Sequence, residues 1–327
     1  MAVGMLVAAA SCSGASTASV VGRALPAGLG PPPALDAHDG SVVQDGSTYW
    51  IFGTAYACGF GLNRVGTRWC GINAFSSTDL QTWTPRGQAI APDAVWQQRC
   101  APPRFGCFRP HVARSAATGQ WVMWVNTYDI AAGYRVLTAP SPAGPWTEAA
   151  TPTLALGGRT LPSRGDQDVF VDTAGVGWIA YTLIERNLPG DIAVERLNPE
   201  LTSGTGEVVR IPLGFVEAPS LFERAGRFLM VFSEPACPYC GATTGLASAP
   251  SPLGPWVKAP TLSARSCEGQ PAEVSQLRLA GGPIWLYVSD RWVRGDPNQA
   301  RAGIWWEPLS FRDNGLPVPP RCTAVFY

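Results

Sequence analysis

The stretch FVEAPSLF, residues 215–222, decides how the rest of the chain is interpreted. A short turn follows it, and then the strand-like run GRFLMVF at residues 226–232. Glu217 therefore stands at the entry of a buried strand, where loss of hydration raises the pKa of a carboxyl group. A general acid needs such a raised pKa, because it must still hold its proton near neutral pH. The alternative is a solvated glutamate in a surface loop.

The same arrangement recurs along the chain. Each copy has a polar entry residue, an apolar strand, a glycine turn and an aromatic strand, and successive copies begin about 50 to 70 residues apart. Repeats of this length, each worth roughly four strands, are typical of a β-propeller. The sequence therefore predicts an all-β fold, a five-bladed β-propeller, over residues 31–327. The five entry residues are Asp39, Arg109, Asp166, Glu217 and Gln270.

A second repeated element ends in tryptophan. The segments SSTDLQTW (76–83), APSPAGPW (139–146) and APSPLGPW (249–256) are copies of one turn. The chain contains 13 tryptophans, whose flat faces serve either core packing or stacking on sugar rings. These copies support the repeated fold and leave both uses of tryptophan open.

Charge and hydropathy exclude two classes of partner. The formal net charge is zero and 15% of the residues are charged, so the footprint of a nucleic-acid-binding protein is absent. No segment after the first 30 residues is apolar for 18 residues, so the sequence predicts no membrane span. We expect a monomer.

Residues 1–30 differ from the rest and are predicted to be a leader and linker. The small, apolar run of residues 1–10 resembles a signal peptide that lacks its basic start. The segment AASC, residues 9–12, also resembles a weak bacterial lipobox, which would make Cys12 a lipid anchor. A cleaved signal and a lipoprotein leader both remain open, and either one predicts export to the cell surface or beyond.

The remaining eight cysteines are predicted to form disulfides, because the count is even and the leader indicates export. Eight cysteines allow 105 pairings. Pairing between sequence neighbours gives Cys58–Cys70, Cys100–Cys107, Cys237–Cys240 and Cys267–Cys322. A zinc site is disfavoured, because no second C-x-x-C accompanies residues 237–240.

The first strand of each propeller blade lines the central axis, so the five entry residues are expected to meet at one mouth. Burying three carboxyl groups and an arginine there is costly without a purpose. Two carboxyl groups held across a sugar can hydrolyse a glycosidic bond, one protonating the leaving oxygen and the other activating water. A polar plug that closes the channel is the alternative.

Three motifs resemble those of glycoside hydrolase family 43, a family of five-bladed propellers. HDGSVV (38–43) resembles its H-D-P-S-I/V motif, DQDVFVD (166–172) its D-P-S-x-F-x-D motif, and EAP (217–219) its E-G/A-P motif. The resemblance covers essentially the whole chain after the leader. It implies an inverting mechanism with Asp39 as the catalytic base, Glu217 as the general acid and Asp166 as the modulator of the acid's pKa.

Within that family the chain is most similar to the exo-β-1,3-galactanase branch. RPH (109–111), SRGD (163–166) and YVSDRW (287–292) resemble motifs of the branch. The branch uses a fifth-blade glutamine in place of the first-blade aspartate, and Gln270 aligns with that glutamine. This chain has both groups, and we expect Asp39 to be the base because a carboxylate is the stronger one. Phe108 stands where the branch has a glutamate that contacts substrate.

Further residues are predicted to contact the substrate. Those at or next to an entry position, or following an inner strand, are Gln270, Arg109, His38, His111, Tyr56, Tyr128 and Trp292. Channel hydrogen bonding for the histidines and core packing for the aromatic residues are the alternatives. No cofactor is predicted. Some family members hold a calcium ion in the channel, and the sequence shows no dedicated oxygen cluster for one.

The function predicted from the sequence is an exported inverting glycoside hydrolase. Its substrate would be an arabinose- or galactose-containing polysaccharide, oligosaccharide or side chain. The competing hypothesis is a carbohydrate-binding propeller without catalytic activity. The presence of all three carboxyl groups favours the enzyme.

Overall fold

The computed structural model describes residues 29, 32–61, 64–127, 133–158, 163–185, 188–235, 242–292 and 299–322. Its sheets form a ring of five blades, which confirms the predicted five-bladed β-propeller. The leader with Cys12, the candidate Tyr128 and the pair Cys237–Cys240 lie outside the described residues. Among the described residues, no helix has the length and apolar character needed to cross a bilayer.

Four blades have four antiparallel strands and the fifth has three. One short helix, α1 (Ala94–Cys100), precedes blade 2, and a 3-10 turn (Gln299–Arg301) lies in blade 5.

The strands of each blade are numbered from the axis outward. Blade 1 comprises β1 (His38–Asp45), β2 (Thr48–Thr54), β3 (Ile72–Ser77) and β4 (Thr84–Ile90). Blade 2 comprises β5 (Phe108–Arg114), β6 (Trp121–Asn126), β7 (Tyr134–Ala139) and β8 (Thr147–Glu148). Blade 3 comprises β9 (Ser163–Val171), β10 (Gly177–Glu185), β11 (Leu188–Leu197) and β12 (Gly204–Ile211). Blade 4 comprises β13 (Glu217–Arg224), β14 (Arg227–Pro235), β15 (Ala242–Ala249) and β16 (Val257–Ser263). Blade 5 comprises β17 (Gln270–Leu279), β18 (Gly282–Arg291) and β19 (Gly303–Pro308).

The hydrophobic pattern of each strand follows its distance from the axis. Every residue of β6 is buried, because each face of a blade packs against the neighbouring blade. The outermost strands β4 and β16 are instead mostly exposed and carry polar residues and proline. The second strand of each blade is therefore a continuous apolar run in the sequence, while the outer strands are polar because they lie at solvated edges of the sheets.

Each innermost strand has an irregularity near its start, where the pairing register shifts. The residues that resume pairing after it are equivalent in the five blades: Ser41, His111, Gln167, Ser220 and Glu273. The entry residues precede these pairing residues by different distances along the chain. Glu217 and Gln270 lie three residues before the pairing residue of their own blade. Asp39 and Arg109 lie two residues before it, and Asp166 lies one residue before it. The prediction that the five entry residues share one position is therefore wrong in register. A shifted register re-aims side chains, and residue type alone does not reveal it.

Side chains at four of these positions, together with Asp168 next to Gln167 in blade 3, fasten neighbouring blades around the axis. Between blades 1 and 2, Val112 N–H donates to Ser41 Oγ (3.1 Å); between blades 4 and 5, Val274 N–H donates to Ser220 Oγ (2.9 Å). The other contacts are His111 Nδ1 with Asp168 Oδ1 (2.7 Å), Leu221 N–H to Asp168 Oδ2 (2.6 Å) and Val42 N–H to Glu273 Oε2 (2.7 Å). Every junction between blades thus has a buried polar contact. We call this set the inner ring.

Blades 1 and 5 close the propeller through side chains. One apolar cluster contains Val42, Ile51 and Leu80 from blade 1 together with Leu286 and Trp306 from blade 5. Two hydrogen bonds flank it, from Tyr49 Oη to the Arg278 carbonyl (3.0 Å) and from Arg278 N–H to Gln44 Oε1 (2.7 Å). Burial of apolar area at about 25 cal/mol per Å² makes such a cluster the main stabilising term at this junction.

The repeated turn-and-tryptophan segments pack between blades. Trp146 of blade 2 lies edge-on to Phe52 of blade 1, with ring centroids 5.7 Å apart, and Trp83 of blade 1 lies 6.0 Å from Trp306 of blade 5. Trp256 of blade 4 packs on a cluster that contains blade 3 residues. For these three tryptophans the packing interpretation is confirmed.

Three of the four predicted disulfides are present among the described residues. They are Cys58–Cys70, Cys100–Cys107 and Cys267–Cys322. The first two brace the loops 55–71 and 91–107, which lie at the end of the propeller where the innermost strands begin. The third ties the tail of the chain to the loop before β17. The disulfides therefore fix the surroundings of the predicted mouth.

Candidate active site

Glu217 and Gln270 meet at the mouth. They occupy the equivalent position at the start of β13 and β17, and Gln270 Nε2 donates to Glu217 Oε1 over 2.9 Å. Burial and the negative charge of Asp166 raise the pKa of Glu217 to about 8, against the opposing effects of Arg109 and of the Gln270 hydrogen bond. A glutamate with this pKa still holds its proton at neutral pH. It has the chemistry of a general acid.

Asp166 lies close enough to influence that acid. It lies within the strand irregularity of β9, one residue before pairing resumes, and is 7% exposed. Its charge is the largest charge effect on the pKa of Glu217. A negative neighbour makes it harder to ionise the glutamate, so it keeps the acid protonated. A modulator of the acid's pKa would have this effect, and the catalytic role of Asp166 stays a prediction.

Arg109 lies beneath the mouth as a buried cation. Its guanidinium donates to the carbonyl oxygens of Gln167 (3.3 Å) and Ala272 (2.8 Å), and the residue is 2% exposed. Its charge lowers the pKa of both Asp39 and Glu217. In this arrangement Arg109 acts on the carboxyl groups electrostatically and fastens blades, and its predicted contact with substrate stays a prediction.

Asp39 is held at the start of blade 1 by its neighbours. Thr54 Oγ1 donates to Asp39 Oδ1 (2.8 Å), and Asp39 N–H donates to Asp290 Oδ2 (2.9 Å). The backbone of Asp39 has a φ of 52°, which is uncommon for a residue other than glycine. Burial and the charge of Asp290 raise the pKa of Asp39 to about 8, against Thr54, Arg109 and His38.

Gly40, which replaces the proline of the family motif, is required by close packing. A Cβ atom at this position would lie 1.8 Å from the carbonyl oxygen of Phe52 in β2. No side chain fits there unless the two innermost strands of blade 1 separate.

Sequence reasoning quoted Asp290 inside a motif and gave it no role. In the structure it reaches from β18 of blade 5 to blade 1, where Asp290 Oδ1 contacts His38 Nδ1 (3.0 Å). His38 Nε2 lies 3.5 Å from Asp36 Oδ1. Burial alone would lower the pKa of His38, but the carboxylates of Asp290 and Asp36 raise it to about 10. His38 is therefore an imidazolium at neutral pH, and it is fully buried.

The aromatic candidates surround His38. The Tyr56 ring lies edge-on to the His38 ring at 5.3 Å, and the Trp292 ring lies 5.8 Å from His38 and 5.5 Å from Tyr56. Tyr56 is 2% exposed, whereas Trp292 is partly exposed. Trp292 alone of these three reaches the surface, so it is the best placed of them for the predicted sugar contact.

His111 belongs to a group of buried ionisable side chains in the channel, and sequence reasoning missed the rest of the group. Ligand-type atoms of His111, Asp168 and Glu273 all lie within 4.8 Å of one another. Burial lowers the pKa of His111, although Asp168 opposes the effect, so the ring is neutral. Its Nε2 is buried and has no hydrogen-bond partner among the described residues.

This group does not by itself form a calcium site. Calcium takes six to eight oxygen ligands, whereas both oxygens of Asp168 already contact His111 and Leu221, and one oxygen of Glu273 accepts from Val42 N–H. Asp168 and Glu273 together offer at most four carboxylate oxygens, fewer than that coordination number. The expectation that no cofactor is needed stays a prediction.

Comparison with known protein families identifies the family of this chain. The family model described as glycosyl hydrolases family 43 matches residues 31–276. The chain belongs to this family. It is accordingly a glycoside hydrolase, acting on O-glycosidic bonds. No curated protein matches the sequence.

Solved structures of family 43 enzymes share the fold of this glycoside hydrolase. A β-1,3-galactosidase of the family, solved with galactodeoxynojirimycin, is 24% identical with a TM-score of 0.72; the match covers 90% of this chain and 96% of that one. The exo-β-1,3-galactanase of Clostridium thermocellum is 23% identical with a TM-score of 0.72, covering 88% of this chain and 62% of that one. The exo-β-1,3-galactanase of Phanerochaete chrysosporium, solved with β-1,3-galactotriose, is 22% identical with a TM-score of 0.71, covering 90% and 66%. At these identities the likeness shows the fold.

The glycoside hydrolase should lose stability as the pH rises, because Glu273 is buried with a proton. Burial and the charge of Asp168 raise its pKa from 4.5 to about 8. The native state then holds a proton that the unfolded chain has released, so this contribution is complete below pH 4.5 and is lost as the pH rises through 8. We expect Glu273→Gln to flatten the fall of the unfolding free energy between pH 5 and pH 9, measured by urea titration, by about 1.4 kcal/mol for each unit by which the pKa of Glu273 is raised. Parallel curves for the two proteins would contradict the prediction.

Proposed function

We propose that this glycoside hydrolase is an exported, inverting enzyme that releases galactose from galactose-containing polysaccharides or side chains. The observation that carries the proposal is the pair of raised pKa values, on Glu217 and Asp39, at one mouth. The named ligands of the structural relatives, galactose and β-1,3-galactotriose, support galactose as the sugar over arabinose.

Each carboxyl group has one role in the proposed reaction. Glu217 gives its proton to the glycosidic oxygen, and the bond from that oxygen to the anomeric carbon breaks. A water molecule on the opposite face attacks the anomeric carbon and loses a proton to Asp39. Asp39 later returns this proton to solvent and Glu217 regains one, so that atoms and charges balance. Asp166 keeps Glu217 protonated before the attack.

The contact between Gln270 and Glu217 supports Asp39 as the base. Inversion needs the attacking water on the face of the sugar opposite the acid. The acid and base carboxyl groups must therefore lie about 6.5–9.5 Å apart, to leave room for that water. Gln270 donates directly to the acid over 2.9 Å, so it lies on the acid's side. Asp39 comes from another blade and has its own partners.

Export is supported by three disulfides among the described residues, because such bonds persist in oxidising compartments. The leader-like residues 1–30 support it as well. A lipid anchor at Cys12 and a cleaved signal stay the two alternatives for the leader, and the monomeric state stays a prediction.

The deciding experiment is proton NMR of the purified protein with galactan, arabinogalactan, arabinan and xylan oligosaccharides. We expect immediate release of galactose with the anomeric configuration opposite to that of the cleaved bond. Release of arabinose or xylose would overturn the sugar, and retained configuration would overturn the mechanism. Binding without any turnover would favour the carbohydrate-binding propeller.

The proposed roles predict a narrow pH dependence. Glu217 must be protonated, so activity falls as the pH rises above about 8; Asp39 must be ionised, so activity falls as the pH drops below about 8. Because kcat/KM reports the free enzyme, its profile should be a narrow bell with a maximum near pH 8. Initial rates at low substrate from pH 4 to 10 measure it. A broad plateau centred near pH 5 would contradict the prediction.

Phe215 is predicted to contact the substrate beyond the cleaved bond. It lies two residues before Glu217, is 50% exposed and has a φ of 46°, a genuine outlier for a bulky residue. Its neighbours are pinned, since Gly214 N–H donates to Asp191 Oδ1 (2.9 Å) and Val216 N–H to the Gly190 carbonyl (3.0 Å). A strained, exposed aromatic residue two positions before the proposed acid indicates function.

We expect Phe215→Ala to raise KM for a galacto-oligosaccharide about two- to tenfold and to leave kcat for a small aryl galactoside unchanged, because only a longer substrate reaches the ring. Val257→Ala, at an exposed position of outer strand β16, is the matched control. An equal effect on both substrates would rule out the contact.

A further inference from the structure

We propose that Asp290 is a positioning residue for Asp39, setting both its orientation and its readiness to accept a proton, with His38 as the opposing charge. The inference rests on the proposed function, since it concerns Asp39 as the base. It adds a residue from blade 5 to a role that the sequence motifs place in blade 1.

Asp290 holds two groups with its two oxygens. Oδ2 accepts from the backbone N–H of Asp39 (2.9 Å), and Oδ1 contacts His38 Nδ1 (3.0 Å). The carboxylate is 2% exposed and crosses the junction between blade 5 and blade 1. One side chain therefore fixes two consecutive residues of β1 from a strand about 250 positions later in the chain.

The bond to Asp39 N–H bears directly on where the Asp39 carboxyl group points. Asp39 has a φ of 52°, and backbone of this kind persists only when its surroundings hold it. Asp290 supplies that hold from one side and Thr54 Oγ1 fixes the carboxyl oxygen from the other. Without Asp290 the N–H would be buried and unpaired, and the loop could relax to an ordinary conformation.

The charges that face Asp39 oppose one another. Asp290 from β18 raises its pKa, whereas the His38 imidazolium from β1 and the Arg109 guanidinium from β5 lower it. Asp36 in the segment before β1 faces the far side of His38 at 3.5 Å and helps to keep it charged. Removing Asp290 should therefore make Asp39 more acidic, and removing the charge of His38 should make it less acidic.

Two variants test these opposite signs. Asp290→Asn keeps the size of the side chain and removes its charge, and its one amide oxygen can accept from only one of the two groups, Asp39 N–H and His38 Nδ1–H. We expect the acidic limb of kcat/KM to move to lower pH and kcat to fall about 10²-fold through misplacement of the base. His38→Gln keeps a hydrogen-bond donor and removes the positive charge; we expect the acidic limb to move to higher pH. KM should stay within about twofold in both, because His38 and Asp290 are both buried; a larger rise in KM for His38→Gln alone would support the predicted contact between His38 and the substrate.

A control and a second readout separate this role from a merely structural one. Asp172 also accepts several hydrogen bonds, in the turn at the far end of blade 3, so Asp172→Asn should lower stability and leave the pH profile unmoved. Carboxyl carbon NMR of the folded proteins, with the Asp39 signal assigned through Asp39→Asn, follows the titration without any substrate. It should show the pKa of Asp39 lowered by Asp290→Asn and raised by His38→Gln.

The outcomes distinguish this proposal from the proposed function. A wild-type protein that is inactive on every sugar but shows both pKa shifts would overturn the function and keep the electrostatic role of Asp290. An active wild type whose profile and Asp39 signal ignore Asp290→Asn, or move in the same direction in both variants, would overturn the role of Asp290 alone.

Discussion

Glu217→Gln should lower kcat on a galacto-oligosaccharide by about 10²- to 10⁴-fold, the contribution of a positioned general acid. The amide has the shape of the glutamate and keeps an oxygen that can accept the Gln270 hydrogen bond, but it has no proton to give. Substrate affinity, measured by calorimetry, should change by no more than a few-fold. The same strand offers a matched control in Glu223→Gln, which lies at the far end of β13 and accepts from Thr173.

The leaving group sharpens this prediction. An aryl galactoside whose phenolate leaves without protonation does not need the acid, so the deficit of Glu217→Gln should shrink greatly on that substrate. The deficit should persist if Glu217 instead supports the fold or binds the sugar. A kcat within tenfold of wild type on the oligosaccharide would remove Glu217 from the role of acid.

Asp39→Asn should have the second-largest effect, a fall in kcat of about 10²- to 10⁴-fold, because water must then attack without a base. The amide can still accept from Thr54 and keeps its backbone bond to Asp290, so the geometry of blade 1 should persist. Circular dichroism and the urea midpoint check that point. Comparison with Gln270→Ala decides which of the two groups holds the water.

Gln270→Ala should act on the acid. Its hydrogen bond lowers the pKa of Glu217, so its removal raises that pKa and moves the basic limb of kcat/KM to higher pH. We expect its loss of kcat to be much smaller than that of Asp39→Asn. The reverse order, with Gln270→Ala the more damaging, would assign the water to the glutamine, as in the exo-galactanase branch.

The buried carboxyl groups make the stability of the whole protein depend on pH. Asp39, Glu217 and Glu273 have raised pKa values in the folded state, which opposes ionisation and disfavours the native protein at high pH. This contribution declines as the pH rises above about 4.5, the range in which the unfolded carboxyl groups ionise, so most of it is already lost at the proposed optimum near pH 8. Stability and activity are set by the same groups.

Much of this protein could be predicted from the sequence. The repeated alternation of apolar strand, glycine turn and aromatic strand fixed five blades, because hydrophobic periodicity is a local property of the chain. Pairing of neighbouring cysteines gave three disulfides that the structure contains. Two of them close short loops, with sequence separations of 12 and 7, whereas the third spans 55 residues. The residue types at the blade entries singled out Asp39, Asp166 and Glu217, whose catalytic roles follow from the family resemblance and stay predictions.

Tertiary structure alone decided how those residues are arranged. The register shift at the start of each innermost strand puts the entry residues at three different positions, and no residue type marks it. Closure of the ring brings Asp290 to Asp39 and joins Glu273 to Val42, contacts that span more than 200 residues. A sequence pattern reflects the local conformation and burial of residues that lie within a few positions of one another along the chain. The pKa values of the site depend instead on charges that only the closed propeller brings together.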